Sequence, residues 1–177
     1  LVPEPVLTGT VLLGEIGLAG AVRPVAGVLP GLLAARAAGC DRAVVPHEQA
    51  AEAALVAGLT VHSVGSVAEL VDLLHGRPVF PPPSSPAPAG GDDHAPDLAE
   101  VVGQDAARWA LEVAAAGRHH LHLSGPPGVG KTMLAERLPG LLPRLSVAEA
   151  IEVAAVHSLA GEPVHALVRR PPFAAPH

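Results

Sequence analysis

The chain has no tyrosine, two phenylalanines and one tryptophan, so aromatics make up only 2% of its 177 residues. Hydrophobic residues nevertheless reach 49%. A core must therefore be built from Ala, Val and Leu, and tight packing of small aliphatic side chains suits sheets covered by helices. Cys40 is the single cysteine. An internal disulfide is excluded, which fits a reducing cytoplasm, and Cys40 reads as a small buried hydrophobe. No apolar run reaches the roughly 18 residues of a membrane span. The most apolar region, Val6 to Ala38, is broken by Glu15, Arg23, Pro24, Pro30 and Arg36. No signal peptide is visible. The chain starts at Leu1 without a methionine and reads as a piece of a longer protein. A formal charge of -6 leaves no broad basic face for nucleic acid in this segment, although a larger assembly can supply one.

Composition divides the chain. Arg77 to Pro96 is rich in Pro, Gly and Ser and follows neither helical nor strand periodicity. Proline fixes φ and removes backbone donors, so the stretch reads as an inter-domain linker, with a long structured loop as the alternative. Residues 1–76 alternate strands and helices. Thr10 to Leu18 and Ala21 to Val25 are expected strands joined near Ala19-Gly20. Val28 to Ala38 is an expected helix ended by Gly39. Ala43 to Val45 is a short strand, Glu48 to Ala57 an Ala-rich helix, and Thr60 to Val64 a further strand. Ser66 with Glu69 forms a capping box for a helix to about Leu74. In residues 97–177, Asp105 to Ala116 is an expected helix, Leu121 to Ser124 a short strand, and Lys131 to about Leu138 a helix. Ser146 with Glu149 caps another, running to about His157.

Gly125, Pro126, Pro127, Gly128, Val129, Gly130, Lys131 and Thr132 match the phosphate-loop pattern G-x-x-x-x-G-K-S/T in full. The residue types follow from the chemistry. A triphosphate needs many donors in a small space, and glycines let successive N–H groups turn inward and leave room for oxygens. Lys131 places a point charge against the β- and γ-phosphates, and Thr132 offers its hydroxyl to Mg²⁺. The helix that starts here, with Met133 in its first turn, turns its positive end to the same anion. The motif requires the context strand, loop, helix, and His120 to Leu123 before the loop with Thr132 to Leu138 after it are read as meeting both conditions. ATP and Mg²⁺ are the expected cofactors. Hydrolysis in this class needs an apolar strand ending in Asp-Glu. No Asp follows Asp105, and none of Glu112, Glu136, Glu149, Glu152 and Glu162 ends such a strand. The catalytic half of the domain is thus expected to lie beyond this sequence, and the chain alone to bind ATP without turning it over.

The segments LAEVVGQ from Leu98, GRHHLHLSGPPGVGKTMLAERLPGLLP from Gly117, SVAEAIEVAAVHSLAG from Ser146 and RRPPFAAPH from Arg169 closely resemble the magnesium-chelatase-like AAA+ ATPases of the YifB/ComM type. The resemblance runs from Asp97 to the last residue. It implies that Val102 and Gly103 lie near the adenine. Ala174 stands where the family usually has Arg, so the role of that Arg does not carry over. The stretch from Gly14 to Pro46 is similar to the C-terminal part of a Lon-protease-like domain, which this family carries ahead of its ATPase. The implied architecture is α/β: a partial Lon-protease-like domain (1–76), a linker (77–96) and the N-terminal part of a P-loop AAA+ parallel-sheet domain (97–177). The resemblance further implies a homo-oligomeric ring, a hexamer, in the full-length cytoplasmic protein, with no membrane partner. It also implies DNA as a partner of the full assembly, through a helicase or branch-migration motor in natural transformation. The alternative is a chelatase-type ATPase subunit that drives metal insertion into a tetrapyrrole. A Ser–Lys peptidase is not expected, because the position of the Lon lysine aligns with Leu29 and the first lysine in the chain is Lys131.

Other residues have plainer readings. His120 and His122 share a face if Leu121 to Ser124 is a strand, yet no nearby Cys or acid completes a metal site with His119. Glu15 reads as a solvated residue on one strand face, and Trp109 as core packing.

Overall fold

A computed structural model describes residues 7–77 and 96–175. Contacts divide the chain into two compact units, Leu1–Ala89 with Ile151–Leu167, and Gly90–Ala150 with Val168–His177. The expected linker falls, apart from Arg77 and Pro96, outside the described residues.

The first unit is α/β. Strands β1 (Thr10–Leu12), β4 (Arg42–Pro46) and β5 (Thr60–Val64) form a parallel sheet in the order β1-β4-β5. The register pairs Thr10 with Arg42 and Arg42 with Thr60. β4 is central, and Ala43 to Pro46 are all buried, as a parallel strand covered on both faces requires. Between β1 and β4 lie a small antiparallel ribbon, β2 (Glu15–Ile16) with β3 (Val22–Arg23), and helix α1 (Val28–Ala37). The strand read from Thr10 to Leu18 is instead split, Thr10–Leu12 pairing with β4 and Glu15–Ile16 with β3, and the ribbon closes in a turn where Gly20 N–H donates to Gly17 O at 2.8 Å. Glu15 is exposed in β2, and Cys40 is half-buried rather than buried.

α1 carries the core. Val28, Leu29 and Leu32 are fully enclosed and pack with Ala43, Val45, Ala53, Val56 and Val61, joined by Ala154 and Val164 from the Ile151–Leu167 segment. Gly27 before α1 has φ +78 and supplies no side-chain cap. The orphan amides are met from elsewhere. Leu29 N–H donates to Glu52 Oε1 (3.2 Å) and Ser158 Oγ (3.3 Å), and Gly27 N–H to Ser158 O (2.9 Å). Glu52 is buried there, and its carboxylate suits a helix N-terminus.

The Ala-rich stretch 48–57 does not form one helix. A 3₁₀ turn (His47–Gln49) leads into the short α2 (Ala50–Ala53). Gln49 is committed to Val25, accepting from its N–H at 3.0 Å and donating to its carbonyl at 2.7 Å, and this fixes the entry. Helix α3 (Val67–Leu74) starts at the expected capping box, with Glu69 N–H donating to Ser66 Oγ at 3.2 Å.

In the second unit a 3₁₀ turn (Leu98–Glu100), α4 (Asp105–Gly117), α5 (Lys131–Ala135) and α6 (Leu138–Leu141) surround Leu98, Val101, Leu111 and Leu134. The helix after the loop stops at Ala135 because Pro139 has no N–H to donate to its carbonyl. α7 (Val147–Leu159) opens in this unit at the second capping box, where Ser146 N–H donates to Glu149 Oε2 at 2.7 Å. The expected strand at Leu121 to Ser124 is absent, since none of the described residues pairs with it and a strand exists only through its ladder. Trp109 is 68% exposed, contrary to the core reading. α4 buries Leu111, Ala114 and Ala115, and Trp109 lies about half a turn from that face.

Glu69 makes the first unit sensitive to acid. Gly65 N–H donates to its carboxylate at 2.9 Å, and His47 and Ser66 add further hydrogen bonds. Together they hold its pKa below the ordinary value of 4.5. A depressed carboxylate pKa gives stability that is complete above the unfolded value and is lost as pH falls toward the folded one. The urea midpoint should therefore drop as pH falls below 4.5. Glu69→Gln should lower the neutral midpoint and flatten that acid limb.

Candidate nucleotide-binding site

The Gly125 to Thr132 segment turns sharply between Leu123, which packs on the second unit's core, and α5. Gly128 and Gly130 adopt φ +81 and +87, the left-handed region where a Cβ is penalised. A Cβ on Gly128 would meet nothing within 4 Å, so the space beside this exposed glycine is open. One on Gly130 would lie 3.1 Å from both Gln104 Nε2 and Met133 Cε. The only lysine folds back over the curl, its Nζ donating to Gly125 O at 2.9 Å and Pro126 O at 2.8 Å. Thr132 is exposed, as are Gly125 to Val129, while Gly130, Lys131 and Met133 are half-buried.

The entry segment comes close to this loop through a residue that sequence reasoning missed. Gln104 sits at φ 55 before α4 and donates from Nε2 to Val129 O at 3.2 Å. Val102 and Gly103 directly precede it. Val102 is 95% exposed and Gly103 is exposed with φ +71, while neighbouring Val101 is buried. A second missed residue, Arg137, anchors the same segment. Its side chain is only 12% exposed, and it donates to Asp97 O (2.8 Å), Met133 O (2.9 Å) and Glu100 Oε2 (3.0 Å). It thereby ties the turn before α4 to the helix after the loop. Neither residue had a local signal, because both partnerships span 25 residues or more.

The three histidines are exposed and lie outside any strand, so the shared face read for His120 and His122 is not formed. Among the described residues no group of three or more His, Cys, Asp or Glu is placed to hold a metal ion.

The residues fit a bound phosphate chain in two respects. The space beside Gly128 is open, and the Lys131 ammonium donates to the carbonyls of Gly125 and Pro126 within the loop. Two variants separate backbone strain from contact. Gly128→Ala should cost about 1–2 kcal/mol, the left-handed penalty alone. Gly130→Ala should cost about 0.5–1.5 kcal/mol more through loss of the Gln104 bond. In a Gln104→Ala background that excess should shrink to what the Met133 Cε contact costs, as a double-mutant cycle by urea denaturation can measure.

Comparisons with known proteins match both parts of the chain. The family model described as magnesium chelatase, subunit ChlI, matches residues 97–177, and that described as subunit ChlI of Mg-chelatase matches residues 2–49. An uncharacterized protein of Mycobacterium tuberculosis strain H37Rv is 53% identical over 173 residues, covering 97% of this chain and 34% of that protein. Competence protein ComM of Haemophilus influenzae is 38% identical over 169 residues, 92% of this chain and 33% of that protein. An archaeal Lon protease of Archaeoglobus fulgidus is 47% identical over 45 residues, 25% of this chain and 7% of that protein. The chain thus spans about a third of the length of the curated relatives that it matches over most of its own.

Proposed function

The chain belongs to the YifB/ComM family of magnesium-chelatase-like proteins, and on that premise we propose that its second unit binds Mg·ATP as the phosphate-binding part of an AAA+ motor. The observation that carries this reading is the curl at Gly125 to Thr132, with the open space at Gly128 and the only lysine folded into it. Lys131 would leave the carbonyls of Gly125 and Pro126 for phosphate oxygens, exchanging neutral acceptors for charged ones, which strengthens the hydrogen bond. The N–H groups from Val129 to Met133 would add donors, Thr132 would contribute its hydroxyl to Mg²⁺, and exposed Val102 with Gly103 would face the adenine. Bound Mg·ATP supplies a phosphoanhydride that can be cleaved. Among the described residues no apolar strand ends in an acid to orient water.

For the full-length protein the proposal is a cytoplasmic ring, a hexamer, that remodels branched DNA during natural transformation. The competence role named for one relative and the Lon-like region support it. The family models matched are named for magnesium chelatase, which favours a second reading, a motor for metal insertion into a tetrapyrrole. DNA-stimulated ATP hydrolysis by the full-length protein would favour the first reading. Stimulation by a porphyrin-binding partner would favour the second.

Titration calorimetry tests the binding claim. Lys131→Ala should weaken ATP binding about ten- to hundredfold, by loss of one charge-assisted contact of about 1.5–3 kcal/mol. Thr132→Ala should instead weaken the Mg²⁺ dependence. Phosphate release by the chain alone should stay at background. Unchanged affinity in Lys131→Ala would mean that the nucleotide sits elsewhere. Release abolished by that substitution would reveal a catalytic acid in this chain.

The Lon-like region is proposed to dock or support rather than cleave polypeptide, since Leu29 stands at the aligned lysine position and is fully buried. Incubation with casein should leave it intact. Cleavage that co-purifies with the chain and survives contamination controls would contradict this.

A further inference from the structure

A hydrogen-bonded series of a different kind lies at the C-terminal end of the parallel sheet, in the first unit. His47 follows β4, Ser63 lies near the end of β5, and Glu69 is in the first turn of α3. The His47 ring bridges the other two, with Nδ1 3.0 Å from Ser63 Oγ and Nε2 3.0 Å from Glu69 Oε2. Gly65 makes the approach possible, because a Cβ there would lie 2.9 Å from His47 Cδ2.

The acceptors fix the tautomer. Glu69 also receives the Gly65 N–H on the same Oε2 at 2.9 Å and the Ser66 hydroxyl on Oε1 at 3.3 Å. These donations stabilise the ionised carboxylate, which can only accept. In the neutral ring Nε2 then carries the proton, which leaves Nδ1 as the acceptor for the Ser63 hydroxyl. This is the order nucleophile, base, orienting carboxylate that activates a serine.

The sheet supplies a further element. β5 is an edge strand, and Thr60 N–H donates inward to Asp41 O at 2.8 Å. Along a parallel strand alternate residues face the neighbour, so Thr60, His62 and Val64 turn inward. The Ser63 N–H is therefore turned away from β4, toward the side on which Ala21 bridges Ser66 two to three residues further along, and a small oxyanion formed at the Ser63 side chain would have to be received there. The His47 and Glu69 side chains are 39% and 32% exposed, so a small molecule can reach the group from solvent.

We propose that Ser63, His47 and Glu69 form an acyl-transfer site, with Ser63 as nucleophile, His47 as general base and Glu69 as positioning residue, acting on small activated carboxylic esters. Ser63 Oγ bonds to the carbonyl carbon and its proton passes to His47 Nδ1. The ester C–O bond breaks, and the leaving alkoxide takes that proton. Water then attacks the acyl-serine, losing its proton through His47, and releases the acid. The base is an imidazole in a different part of the fold from the aligned Lon lysine position, so this site and the absence of Ser–Lys cleavage stand or fall separately.

The test uses the intact chain and an alkyl fluorophosphonate, which forms a P–O bond to an activated serine with loss of fluoride. Peptide mass mapping should find the adduct on Ser63. His47→Ala should slow labelling about hundredfold or more, and added imidazole should restore part of the rate. Glu69→Gln should slow it at least tenfold, whereas Glu69→Asp, which keeps the charge, should retain most of it. Circular dichroism melts establish that each variant is folded. No adduct on Ser63 of the unaltered chain would overturn the proposal whatever the variants do. Labelling at the same rate in folded His47→Ala or Glu69→Gln would overturn it too.

Discussion

The second unit is organised around a backbone requirement. Gly128 and Gly130 must both adopt positive φ for the chain to curl between Leu123 and α5. Side chains with a Cβ resist that conformation, so glycine at these positions is a geometric necessity. Once the curl is formed, Lys131 can reach the carbonyls of Gly125 and Pro126, and Gln104 can reach Val129. Arg137 then closes the arrangement by joining the segment before α4 to the helix after the loop. The loop is thus supported from both sides by polar contacts, although the apolar core beneath it is small.

The first unit meets a comparable demand differently. Its main helix begins at a glycine with no side-chain cap, and the exposed amides would be costly in an apolar core. A buried glutamate from α2 and a buried serine from α7 accept from the same amide instead. Ser158 is distant in sequence from Leu29, and Ala154 and Val164 beside it fill the same core. Residues matched by the chelatase model therefore also complete the packing of the Lon-like sheet.

What was legible in the sequence was local. The capping boxes at Ser66 and Ser146 and the glycine after α1 each report contacts within a few residues, and these elements form where expected. Non-local determinants were not legible. The stretch at Leu121 to Ser124 has strand composition but no partner strand among the described residues. The Ala-rich segment 48–57 has helical composition, yet Gln49 is held by Val25 across 24 positions. Trp109 belongs by type to a core, but the periodicity of α4 turns it outward. Gln104 and Arg137 carry no motif at all, and only the fold brings them to the loop.

The central claim is that the curl at Gly125 to Thr132 receives the phosphates of a nucleotide. Amide hydrogen exchange with and without saturating Mg·ATP tests it directly, because a bound phosphate chain occupies the very N–H groups concerned. The account predicts slowed exchange from Val129 to Met133, with the β4 and β5 amides of the first unit unchanged. Saturating nucleotide that leaves the loop amides exchanging at their free rate would contradict it.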